Sequence, residues 1–135
     1  MGLQTDLFLG STPDAKSYDG APKSGVERIQ LGGLTNLEFE ILQAIVASES
    51  WEIERHALEE IASTEASWTF RFPGTYVMAL QSLDRETIER VAVEWAATEE
   101  IAGTPSDVLP VIEGLVRLAK EASLSGRSLF VWFGL

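Results

Sequence analysis

The chain has one histidine, His56, in the stretch WEIERHALEEI at 51 to 61, and Glu52, Glu54, Glu59 and Glu60 stand within four positions of it. An imidazole among carboxylates can bind a divalent metal, relay protons or sit on a charged surface, and spacing separates these cases. The HExxH pattern of zinc hydrolases is absent, and the ExxH pair of di-iron bundles fails because position 53 is isoleucine. Magnesium or calcium would need further oxygen ligands from elsewhere in the chain. Read as a helix from Trp51 to Ala62, the stretch has an apolar stripe of Trp51, Leu58, Ile61 and Ala62, with His56 on the opposite side. Glu52 and Glu60 lie four residues to either side of His56. This pattern predicts a solvated acidic face and implies neither a metal nor a cofactor.

Two other glutamates are candidates for acid–base chemistry. Glu99 follows Trp95 by four residues on the stripe of Ile88, Val91, Ala92, Trp95 and Ala102, and Glu54 sits at the edge of the Trp51 and Leu58 stripe. A carboxyl packed against an indole has its pKa raised and can act as a general acid. Glu54 and Glu99 are therefore the catalytic candidates. Nucleophilic chemistry has little material: there is no cysteine, and a Ser-His-Asp triad would have to use His56. Gly32 and Gly33 lack the Lys and Ser/Thr of a phosphate loop, and no GxGxxG is present.

The formal charge of −11 repels phosphates and anionic lipid, which argues against direct binding to nucleic acid or a membrane surface. Residues 51 to 100 carry eleven acids and four bases, whereas 101 to 135 carry three of each. Such a field steers a cationic partner toward its source. The leading expectation is a non-enzymatic acidic binding or regulatory protein that engages a basic protein partner, with an inhibitor or immunity-like role as its preferred form. Its contacts would be Glu52, His56, Glu59, Glu60, Glu86, Glu89 and Glu100. The alternatives are a small carboxylate-dependent hydrolase or lyase with a cleft under the 11–25 loop, and a subunit of a homo-oligomer packed through Trp and Phe. The absence of cysteine fits a reducing, cytoplasmic setting. No apolar run is long enough to span a bilayer, and the first residues lack the basic region of a secretory signal.

The elements that would position these groups follow from periodicity and caps. LFLG at 7–10, VERIQL at 26–31, SWTFRF at 67–72 and the apolar 129–133 read as strands. Ser11 to Gly25, rich in Gly, Pro, Ser and Asp, reads as a long loop in which Asp14 and Asp19 flank Lys16 and Tyr18, with Lys23 beyond. Thr35 with Glu38 forms a capping box that opens a helix from Asn36 to Ala47. A helical turn follows at 75–83, and Asp84 caps a helix ending near Gly103. Ser106 or Asp107 caps a last helix with Pro110 in its first turn. Residues 1–135 then make one acidic α+β domain. It comprises a mixed or antiparallel sheet of three to four strands, about four helices, and a buried C-terminal strand. Removing the last seven residues should abolish the cooperative thermal transition, and a truncated chain that still melts sharply would refute that.

Overall fold

A computed structural model describes residues 3–20 and 27–135. Val26, where the second strand should begin, and Lys23 lie outside the described residues. The architecture is an antiparallel five-stranded sheet in the order β2-β1-β5-β4-β3. Its strands are β1 (Gln4–Gly10), β2 (Arg28–Gly32), β3 (Glu59–Ser63), β4 (Ser67–Arg71) and β5 (Ser128–Gly134). Six helices accompany them: α1 (Thr12–Ser17), α2 (Asn36–Val46), α3 (Ile53–His56), α4 (Gly74–Gln81), α5 (Arg85–Ala96) and α6 (Pro105–Ser125).

The fold class is thus α+β, but an expected three to four strands and about four helices are corrected to five and six among the described residues. The strand missing from the expectation is β3, the additional helix is α1, and the single turn α3 is what remains of the helix expected at 51–62. At the chain's C-terminal end the expected burial stops with β5: Leu135, the residue after it, is 84% exposed.

Strand alternation explains the layers. On β5, Leu129, Val131 and Phe133 join the core beneath the helices, while Phe130 and Trp132 face the other way. On β1, Leu7 and Leu9 point to the helices and Phe8 to the opposite face. The β1–β5 register sets Phe8 beside Phe130 and Asp6 beside Trp132. α2, α4, α5 and α6 cover the first face around Phe39, Trp95, Ile112 and Leu115. Tyr76 on α4 donates to the carbonyl of Phe39 at 2.7 Å, and the Trp95 indole donates to that of Glu38 at 3.0 Å. These two bonds tie α2 to its neighbours.

The second face is closed by the stretch expected to be an open loop. Ser11 and Asp14 form a capping box, Pro13 stands in the first turn, and α1 results. Tyr18 then stacks on Phe8, with ring centroids 4.0 Å apart. Gly20 has φ of 81°, and a Cβ there would lie 2.5 Å from the Trp132 ring, so only glycine fits. Pro110 lies beyond the first turn of α6, which opens at Thr104 and Pro105 and not at the expected Ser106 or Asp107. Its ring therefore removes a true helical hydrogen bond.

Beside this second apolar layer, Asp6 is wholly buried and satisfied by three side chains. The Tyr18 hydroxyl donates to it at 2.6 Å, Arg28 at 3.2 Å and Gln4 at 3.2 Å. Burial, followed by the bond to Asp6, pushes the Tyr18 hydroxyl from 10.0 up to about 12. A raised folded-state pKa means that the contribution is complete below the unfolded value of 10.0 and is lost as pH rises through about 12. Tyr18→Phe should cost about 1.5–3 kcal/mol at neutral pH by removing a charge-assisted hydrogen bond. Urea unfolding should show that cost shrinking as pH rises across this window, and a pH-independent difference would contradict the assignment.

Candidate functional site: an acidic loop held by buried polar groups

The connection from α2 to β3 departs most from what periodicity predicts. α2 stops where Ser48 takes φ of 57°, and the amide of Glu49 reaches back to the carbonyl of Ala44 at 2.8 Å. The expected helix from Trp51 to Ala62 is replaced by the one turn of α3, a break at Ala57, and the edge strand β3. β3 exists because it pairs with β4 through a tight turn in which the Thr64 amide donates to the Ser67 carbonyl at 2.8 Å.

This change of element reverses the placement of the histidine. His56 is 1% exposed and not solvated. Its Nδ1 accepts the amide of Glu52 at 2.9 Å, which leaves the proton on Nε2 to be donated to Glu49 Oε1 at 2.9 Å. The imidazole thus clamps both ends of the loop that surrounds it. Past the break, the amide of Leu58 donates to Oε2 of Glu40 at 3.1 Å, and the same oxygen accepts from Asn36 at 2.9 Å. Glu40 is buried on α2, so a carboxylate of the core side anchors the far end of the loop. On the solvent side, Arg55 lies 3.4 Å from Glu49 and 3.7 Å from Glu52. Hydrogen bonding from His56 is the largest cause holding the Glu49 carboxyl below its ordinary 4.5, with a smaller contribution from Arg55.

What this scaffold displays is acidic and apolar together. Trp51 is 40% exposed and Ile53 is 65% exposed. Glu52, Glu54, Glu59 and Glu60 are exposed around them in sequence. The apolar stripe of Trp51, Leu58, Ile61 and Ala62 is not a stripe: Leu58 is buried while Trp51 faces out.

The other site residues disperse. Glu86 and Glu89 are exposed on α5, whose packing partners are α6 and α2, and Glu89 is engaged by Arg85 at 3.2 Å. Glu100 lies on the turn after α5, beside a cavity bordered by β2 and α6. Both carboxylate oxygens of Glu59 accept from the single Nη2 of Arg71 at 2.6 Å. His56 cannot touch a partner directly and is a positioning residue. Glu54 and Glu99 are both exposed, Glu54 on α3 and Glu99 on the turn that follows the early end of α5 at Ala96. No protein-family model, curated protein or solved structure matches the chain.

Among the described residues no cluster of His, Asp and Glu could hold a metal, and no helix is long and apolar enough to cross a membrane. Glu40 and Glu49 were not among the sequence candidates. Their signals were a carboxylate amid the apolar positions of α2 and the SES break after it.

Replacing His56 with alanine should destabilise the protein by about 2–4 kcal/mol, since a buried imidazole leaves two partners unsatisfied. The Glu49 contribution has the opposite pH sense to that of Tyr18. It is present above the ordinary 4.5 and is lost as pH falls through the depressed folded value. The stability difference between the wild type and Glu49→Gln should therefore narrow below that pH in chemical denaturation. A difference that widens on acidification would exclude the His56–Glu49 bond as its source.

Proposed function

We propose that the protein is a non-enzymatic binding protein whose acidic 49–60 segment docks on a cationic partner protein. The observation that carries this reading is the outward placement of Trp51 and Ile53 on a backbone held by buried His56 and Glu40. An exposed aromatic with charged surroundings is the composition of a binding hot spot with its polar rim. Holding the loop in advance lowers the ordering cost of association. The net charge of −11 then accelerates encounter with a positive surface and disfavours most others. An inhibitory or immunity-like role toward a basic protein is the form we favour.

The competing readings draw less support. A hydrolase or lyase would need Glu54 and Glu99 in a common cleft, and both lie exposed on different elements. A cleft beneath residues 11–25 is not favoured either, because α1 and Tyr18 pack directly on the sheet. A homo-oligomer joined through aromatic side chains would have Trp51 to use, while Trp95, Trp132, Phe39 and Phe72 are interior.

Affinity capture with the wild type and with a Trp51→Ala, Ile53→Ala double variant should separate these readings. The expected result is one stoichiometric basic protein, retained at low ionic strength, weakened by salt, and bound at least about tenfold less tightly by the double variant. Equal capture by both proteins would place any interface elsewhere. Loss of binding by the variant with no salt dependence would refute electrostatic steering.

A further inference from the structure

A cavity of about 520 Å³ differs in character from the acidic segment, although Glu59 borders both. It opens between α4, the C-terminal part of α6 and the adjoining ends of β4 and β5. Its floor is apolar and buried: Phe72, Val77, Ala122 and Leu129. The volume falls in the range of small-molecule sites.

Its charge is anomalous for this protein. Arg71 and Arg127 line it with Glu59 as the one acid on the lining, in a chain of net −11, and Glu121 pairs with Arg127 from outside the lining. The cavity beside His56 balances Glu49 against Arg55, and the one beside β2 carries Glu100 and Asp107 with no cation. The two arginines are also unequal. Arg71 is committed, with both Glu59 oxygens at 2.6 Å and the Thr12 hydroxyl at 3.3 Å. Arg127 is held less closely, by Ser125 at 2.8 Å and Glu121 at 3.5 Å, with Ser128 beside it on the cavity wall. At the opening stands Met78, 62% exposed on α4, a flexible apolar side chain able to adapt to an occupant.

We infer that this cavity binds a small amphipathic monoanion, its apolar body on the Phe72 and Leu129 floor and its carboxylate on the Arg127 guanidinium. A planar guanidinium with spare N–H groups suits a carboxylate, and the apolar floor supplies the area that a bare inorganic ion could not use. The inference does not rest on the proposed partner, although Glu59 belongs both to the acidic segment and to the cavity wall.

Phenylacetate and its neutral isostere phenylacetamide are the probes, followed by amide and methyl chemical shifts of the full chain. Phenylacetate at millimolar concentration should shift Val77, Met78 and Leu129 in a saturable way, and phenylacetamide should bind about tenfold more weakly or worse. Arg127→Gln, a change at a partly exposed side chain, should weaken phenylacetate by a similar factor while the melting temperature stays close to that of the wild type. Met78→Glu should weaken it by adding a carboxylate at the mouth. Equal binding of both probes, unchanged binding by both variants, or no saturable shift with phenylacetate would each overturn the inference. Saturation of the same residues by inorganic phosphate alone, without phenylacetate binding, would overturn it too, because the apolar floor would then have no role.

Discussion

β5 is apolar on both faces and sits in the middle of the sheet, and most of the architecture follows from that constraint. A strand of this kind must be paired on both edges and covered above and below. β1 and β4 supply the pairing. The four longer helices supply one cover, and α1 with Tyr18 supplies the other. Closing the second face drew Asp6 out of water, and the hydrogen bonds from Tyr18, Arg28 and Gln4 offset that burial. The sheet edges fall to β2 and β3, the least buried strands, and β3 carries a register shift between Glu60 and Ala62. An irregular, acidic edge disfavours pairing with another copy.

The loop before β3 is the structural counterpart of that edge. The chain leaves α2 and must reach the sheet margin without regular backbone hydrogen bonding. Side chains take over: His56 bonds the amide of Glu52 and the carboxylate of Glu49, and Glu40 receives Leu58. Burying these groups is tolerable only because each has a partner. The same arrangement leaves Trp51 and Ile53 facing solvent. A fixed backbone, exposed apolar groups and nearby carboxylates together support a binding surface, and no one of the three would do so alone.

Much of the helical layer was legible in the sequence because caps are local. Thr35 with Glu38 opens α2 and Asp84 opens α5, and the helical turn expected at 75–83 overlaps most of α4. The strand at 67–71 was legible from its alternation. β3 was not, since EEIAS has weak strand propensity and owes its conformation to pairing with β4. That one error of element turned His56 from a surface residue into a buried clamp. α1 was also hidden by its composition, although the Ser11–Asp14 box around Pro13 was a readable signal. α5 stops at Ala96, so Glu99 falls on an exposed turn and not on the helix, and a backbone reversal follows at Ala102, φ 48°, for which no residue type gave warning. For the candidate site, the acidic segment was readable, whereas the roles of Glu40, Glu49 and Trp51 required the tertiary structure.

The most direct test of the locked loop is native-state amide hydrogen exchange across residues 47–58 of the wild type at neutral pH. The account predicts that the amides of Glu52 and Leu58, bonded to His56 and Glu40, exchange on the timescale of the interior amides of α2. Exchange of both as fast as an unprotected loop amide would mean that the segment is not held by its buried side chains, and the preorganised binding surface would fall with it.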